Sequence, residues 1–218
     1  MTSKEFIAAR IAKEFKNGNV INLGAGLPGM ATRFLADGVK IYLQAENGIV
    51  GFGPHDPALP VDPYSTDAGE NPVSINKGGS IVDSATSFGI VRGGHLDLSV
   101  LGAMQVDEEG NIANWLVPGG KMAGMGGAMD LVCGAKKVIA AMEHNAKDGS
   151  AKILKKCTYP LTGEKVVSAV ITELGFFEIT NNGIVLKEIA PGVTVDEVRA
   201  RTEANFTVDP ALKEMAVS

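Results

Sequence analysis

Two cysteines in 218 residues, Cys133 and Cys157, are too few for a disulfide scaffold in a chain of this length. They are expected to be buried or incidental thiols. No apolar run approaches the roughly 18 residues of a membrane-spanning helix, so no membrane partner is expected. No Lys/Arg-rich run occurs and the net charge is −5, which leaves nucleic acid and anionic lipid without an electrostatic handle. Ser/His/Asp and Cys/His sets are not apparent. His55 stands alone in a proline-rich loop with no partner at metal-ligand spacing, and no metal site is expected. The acidic turn at 107–110 lacks the further ligands of a calcium loop. The glycine loop at 24–28 lacks the third glycine of a dinucleotide fingerprint and the Gly-Lys-Ser/Thr of a P-loop.

Glycine itself is abundant at 27 residues, and it clusters near 24–29, 48–53, 78–79, 93–94, 119–127 and 134. Clustered glycine between apolar runs marks tight turns or backbone that a ligand approaches closely. With 45% hydrophobic and 21% charged residues, the chain has material for a full core, and a single domain over 1–218 is expected. The opening MTSKEFIAARIAKEF interleaves charge with apolar residues. It predicts an amphipathic helix over 2–17, opened by a Thr2/Glu5 capping box and ended by Gly18, rather than a secretory signal. A cytoplasmic location is the matching expectation.

A strand at 20–23 leads through the glycine loop into a helix at 30–35, with Pro28 in its first turn. A second strand is expected at 40–43. Residues 53–72, with five prolines, read as a long irregular loop. Ser84 is expected to cap a helix running to about Arg92. A strand at 95–106 and a return at 112–117 suggest a hairpin. Further strands are expected at 137–142, 166–172, 176–180 and 184–189, the last two joined by Asn181-Asn182-Gly183. Thr194 and Glu197 form a second capping box on a helix to 201, and the tail at 211–218 shows little pattern. The alternation predicts an α/β fold with a mixed, largely parallel sheet flanked by helices.

Three stretches carry candidate chemistry. QAENGIVGFGP at 44–54 sets Glu46 after the apolar Ile41-Tyr42-Leu43 and directly before Asn47-Gly48, a strong turn signal. Glu46 is therefore expected where a strand gives way to a loop, the edge that carries chemistry in open α/β sheets. On the local pattern alone, a carboxylate pointing into water is the favoured reading. The strand–glycine loop–helix around 24–28 can aim backbone N–H groups at an anion, or be a structural turn. PGGKMAGMGGAMD at 118–130 holds five glycines and three methionines, and so bare a backbone before a helix-compatible segment can present N–H donors to an oxyanion.

Together with VINLGAGLP at 20–28, the run 91–144 and TELGFFEI at 172–179, these stretches resemble the β subunit of the family I coenzyme A-transferases, of the 3-oxoacid or butyrate/acetate–acetoacetate type, over nearly the whole chain. One departure is that Gly119-Gly120 precede Lys121 where the family usually has one glycine. The resemblance implies a nucleophilic Glu46 and ping-pong transfer through a glutamyl-CoA thioester. It implies Gly127, helped by Gly126, as an oxyanion donor, and Asn22, Gly24 and Gly26 around the reacting thioester and pantetheine. It further implies coenzyme A or acyl-CoA as substrate rather than a permanently bound cofactor. The implied partner is an α subunit in an α2β2 assembly that completes the site. The loop at 53–72 is a candidate cover. An acyl-CoA hydrolase and a non-catalytic ligand-binding module of the same fold are the competing readings.

Overall fold

The structure, a computed structural model, describes residues 1–120 and 124–217. Its first helix, α1 (Ser3–Ala12), begins with the expected capping box: Glu5 N–H donates to Thr2 Oγ1 at 3.2 Å, and Thr2 N–H donates to the Glu5 carboxylate at 2.7 Å. The helix stops five residues short of the expected end. Beyond it Glu14 receives Arg10 and Lys137, and Phe15 turns into the core, so the apolar stripe of Ile7, Ile11 and Phe15 outlasts the helix.

The strands follow as β1 (Val20–Leu23), β2 (Tyr42–Ala45), β3 (Ile49–Pro54), β4 (Val73–Ile81), β5 (Leu98–Gly102), β6 (Gln105–Asp107), β7 (Ile112–Ala113), β8 (Val138–Ala141), β9 (Ile153–Leu154), β10 (Ala169–Ile171), β11 (Gly175–Thr180), β12 (Gly183–Ile189) and β13 (Phe206–Glu214). The other α-helices are α2 (Ser84–Arg92), α3 (Ala128–Gly134) and α4 (Val195–Arg201), and a 3-10 helix covers Pro28–Phe34. Ten strands form one mixed sheet in the order β13-β12-β11-β10-β8-β5-β1-β2-β3-β4. Its centre, β10-β8-β5-β1-β2, is parallel. Antiparallel strands extend it at both sides. The central strands are apolar almost throughout because both faces are covered. On one face α1 and the 3-10 helix bury Ile7, Ile11 and Ala31 against Ile21, Leu98, Ile139 and Ile171. On the other, Val91 of α2 and Leu131 and Val132 of α3 meet Leu101, Val138 and Val170.

The largely parallel sheet flanked by helices is as expected; several element boundaries differ. The segment 95–106 divides: β5 joins the large sheet, whereas β6 pairs with β7 and β9 in a separate three-stranded sheet. Asp83, not Ser84, caps α2, its carboxylate accepting from Thr86 N–H at 2.9 Å. Four strands have no counterpart among the expected elements, namely β3, β4, β13 and β9, the last within the stretch 143–165 that reads as a polar loop. Gly51 and Gly79 disguise the first two. A Cβ on Gly79 would lie 2.6 Å from Gly51 O, so the pair of glycines lets β3 and β4 approach. Pro210 disguises β13, which tolerates it as an edge strand with a register shift opposite Leu186 and Glu188.

His144, just past β8, is fully buried, with Nδ1 3.0 Å from Thr172 Oγ1 and Nε2 2.9 Å from Thr202 Oγ1. Burial, reinforced by the positive charges of Arg201 and Lys152, pushes its pKa down from 6.5 to about 4. Between those values the unfolded chain carries a proton at this residue that the folded chain does not. Stability contributed here is therefore present above the unfolded value and is lost as pH falls through the window, by about 3 kcal/mol. Urea unfolding at pH 7 and pH 4 should show that loss for the parent protein and a clearly smaller one for His144→Gln. Equal losses in the two proteins would contradict it.

Candidate active site

The carboxyl ends of the parallel strands β1, β2 and β5 lie along one edge of the sheet, and Glu46 stands there, one residue past β2. The turn after it is tight. Gly48 N–H donates to Ala45 O at 3.0 Å, and Gly48 has φ +119 with Val82 O only 2.2 Å from a built Cβ. Only glycine fits that position, and the turn sends the chain back as β3. Glu46 is half-buried rather than free in water.

Asn22, in the middle of β1 and 1% exposed, faces it. Its Nδ2 donates to Glu46 Oε2 at 3.1 Å, and also lies 3.0 Å from Gln44 O and 2.9 Å from Gln44 Oε1. Gln44 Nε2 in turn donates to Ser87 Oγ at 2.9 Å, and the Ser87 hydroxyl donates to Ala45 O at 3.3 Å. Asn22 Oδ1 and Ser99 Oγ, on paired positions of β1 and β5, are buried and have no hydrogen-bond partner among the described residues.

Gly127 closes the opposite side. It is buried as the N-cap residue of α3, and a built Cβ would lie 3.2 Å from Glu46 Cγ and 3.0 Å from Phe88 Cε1. The N-terminus of α3 thus abuts Glu46, and its backbone dipoles favour negative charge there. Helix α3 is held to α2 by the Arg92–Asp130 ion pair at 2.6 Å and by Gly134, whose Cβ would meet Val91 O at 2.3 Å.

The other expected residues sort differently. Gly126 is exposed at φ +50 beside Gly127. Gly24 N–H donates to Val100 O at 2.9 Å, so that amide serves the sheet; a Cβ built on the same glycine would lie 3.2 Å from Leu101 Cδ2. Gly26 is exposed with φ +79 in the turn before the 3-10 helix. Lys121, within the glycine- and methionine-rich stretch, lies outside the described residues, as do Met122 and Ala123. The long loop is tied to the site: Asn47 Nδ2 donates to Thr66 O at 2.8 Å, and Gly69 packs against Ala25. It exposes Leu59, Val61 and, at 91%, Tyr64. Two clefts of about 600 Å3 lie elsewhere, one bordered by Glu143, Glu173 and Arg201 and the other by Arg33, Lys40 and Lys77; Glu46 borders neither.

Sequence pattern alone gave Gln44 no role and did not single out Ser87 or Phe88. A signal for Gln44 was present, since a carboxamide inside an otherwise apolar strand needs buried partners. Cys157 is no rival nucleophile: burial, with Asp107 beside it, pushes its thiol up to about 12, so the reactive thiolate is scarce at neutral pH.

Comparison with known proteins gives a consistent picture. A sequence profile described as Coenzyme A transferase matches residues 4–201. The beta chain of the acetate CoA-transferase of Haemophilus influenzae is 53% identical over 218 residues, covering 100% of this chain and 97% of that one. The corresponding subunit of the succinyl-CoA:3-ketoacid coenzyme A transferase of Helicobacter pylori is 46% identical over 205 residues, or 94% of this chain and 99% of that one. Among solved structures, an acyl-CoA transferase apoenzyme from Escherichia coli O157:H7 superposes with a TM-score of 0.81 at 23% identity. That match takes in 99% of this chain, which spans only 44% of the longer solved one.

Proposed function

The chain belongs to the coenzyme A transferase family, and from that premise we propose that it is the nucleophile-bearing subunit of a transferase moving CoA between an acyl-CoA and a short-chain carboxylic or 3-oxo acid. The observation that carries the proposal is the setting of Glu46: a carboxylate at the carboxyl edge of the sheet, with the Asn22 amide on one side and the Gly127 backbone on the other.

A carboxylate attacks without a general base, because carboxyl groups ionise far below neutral pH. A Glu46 oxygen adds to the thioester carbonyl carbon, the C–S bond breaks, and the CoA thiolate leaves a mixed anhydride behind. The thiolate then adds to the Glu46 carbonyl carbon and expels the first acid as its carboxylate. Glu46 is left as a glutamyl-CoA thioester, which a second carboxylate discharges by the same steps reversed. No net proton is taken up or released. Each tetrahedral intermediate bears an oxyanion, and its donor in this reading is the N–H of Gly127, whose backbone borders Glu46, helped by Gly126. Asn22, already donating to Glu46 Oε2, steadies the carboxylate and the charge that develops on its oxygen.

The relatives' names, one an acetate enzyme and one a succinyl-CoA:3-ketoacid enzyme, support a small acid as co-substrate, and both are named as one subunit of an assembly. Glu46 stands outside both clefts, beside a loop with exposed Leu59, Val61 and Tyr64. This supports a partner α subunit that covers the site and keeps water from the anhydride.

The test is covalent trapping. The chain is assembled with its α partner, given acetoacetyl-CoA without acceptor, reduced with borohydride, digested and mapped by mass. Reductive modification of the peptide holding Glu46 is expected. Transfer by a complex whose Glu46 stays unmodified would overturn the covalent route, and CoA release without any acid acceptor would mark a hydrolase instead.

A further inference from the structure

The contacts behind Glu46 have a direction. Ala45 O is a carbonyl and only accepts, so the Ser87 hydroxyl spends its one hydrogen on it. Ser87 Oγ must then accept, which turns the NH2 end of the Gln44 carboxamide towards Ser87 and its Oε1 towards Asn22. Facing Gln44 Oε1 and Gln44 O, Asn22 must present its own NH2 rather than its carbonyl. The nucleophile is thereby guaranteed a donor. Reversal is blocked at every link, because Asn22 Oδ1 turned the other way would face two carbonyl oxygens and a carboxylate. The three relay side chains are sealed from water, at 1% exposure for Asn22 and Gln44 and 0% for Ser87, so no solvent dipole substitutes for a missing member.

The count of hydrogens adds a second point. An amide NH2 carries two hydrogens, yet three acceptors lie within 3.1 Å of Asn22 Nδ2, and the Glu46 contact is the longest of the three. Two hydrogens cannot serve three acceptors separately, so Glu46 competes with the two Gln44 oxygens for them. When Glu46 carries the acyl group or CoA it has no charge with which to compete, and the two Gln44 oxygens hold the amide hydrogens.

We propose that Gln44 and Ser87 are positioning residues, a buried relay that fixes the polarity of Asn22 and holds its amide between turns of the Glu46 cycle. The inference rests on the reading of Glu46 as nucleophile. It assigns the relay to the chemical step and not to CoA binding, since neither side chain reaches the surface.

The experiment uses the complex with the α subunit and measures kcat and the KM for acyl-CoA across pH 6–8.5. Gln44→Glu supplies the decisive variant. As a carboxylate it sets a second negative charge beside Glu46 and draws the Ser87 hydrogen away from Ala45. As a neutral acid it reproduces the polarity of the glutamine, its O–H towards Ser87 and its C=O towards Asn22. Burial and the neighbouring carboxylate both favour the neutral form as pH falls. The expected result is a kcat about 30-fold below parent at pH 8.5 that recovers most of the deficit by pH 6, with KM within about twofold. Ser87→Ala, which adds no bulk, should lose about threefold to tenfold in kcat with no such recovery, and it keeps the proposal testable if Gln44→Glu does not assemble. Variants with parental kcat, a loss confined to KM, or a Gln44→Glu profile parallel to parent would each overturn the relay. Glu46→Gln in the same assay separates the two layers. If that complex is as active as parent, the nucleophile assignment has failed; if it is dead while Gln44→Glu and Ser87→Ala match parent, only the relay has failed.

Discussion

Glu46→Gln, assembled with the partner subunit, is expected to lose CoA transfer by about 10,000-fold or more. A carboxamide has nearly the shape of the carboxylate and can still accept from Asn22, so the change takes away nucleophilicity and little else. Removing a covalent nucleophile abolishes the two-step route itself, which is why such substitutions cost far more than the loss of a supporting contact. The thermal midpoint should stay within a few degrees of parent, because Glu46 is half-buried at the sheet edge and carries no part of either apolar cluster. Initial rates of acceptor-dependent transfer and calorimetry on the same preparation give both readings. A variant retaining a tenth of parental activity would rule Glu46 out as the nucleophile.

Gly127→Ala is expected to lower kcat by about 100-fold while leaving the fold in place. The backbone there, at φ −88 and ψ 7, is open to any L-residue, so the substitution stores no conformational strain. Its methyl group would instead sit 3.2 Å from Glu46 Cγ and 3.0 Å from the Phe88 ring. Both contacts are tighter than ordinary van der Waals spacing, so the half-buried Glu46 side chain and the Phe88 ring must both give way. A displacement on the order of 1 Å at a reacting group is enough for a loss of that size. Kinetics and urea unfolding on one sample separate the causes. A stability loss with unchanged kcat would show that Glu46 is held by Asn22 alone. Gly24→Ala is the useful contrast, since its methyl would press on the movable Leu101 Cδ2 away from the carboxylate, and its kcat should fall much less.

Much of this protein is decided within a few residues of chain, and that part could be read without coordinates. The capping boxes of Thr2/Glu5 and Thr194/Glu197 are present as expected because a cap is a contact between residues three apart. The placement of Glu46 follows the same logic: an apolar run ends, Asn47-Gly48 turns the chain, and the carboxylate is left at the edge of a strand. What tertiary structure alone decided is pairing across distance. Strands β3 and β4 exist because Gly51 and Gly79 meet, and β13 because an edge position forgives Pro210. The two halves of 95–106 went to different sheets because Leu98–Gly102 found β1 and β8, and Gln105–Asp107 found β9. The site has the same origin. Asn22, Gln44, Ser87 and Gly127 come from four separate elements, and only the packing of α2 and α3 on the parallel strands closes them around one carboxylate. Local signals are set by neighbours in sequence, whereas a hydrogen bond such as Gln44–Ser87, 43 residues apart, forms only after the whole sheet has aligned its carboxyl edge.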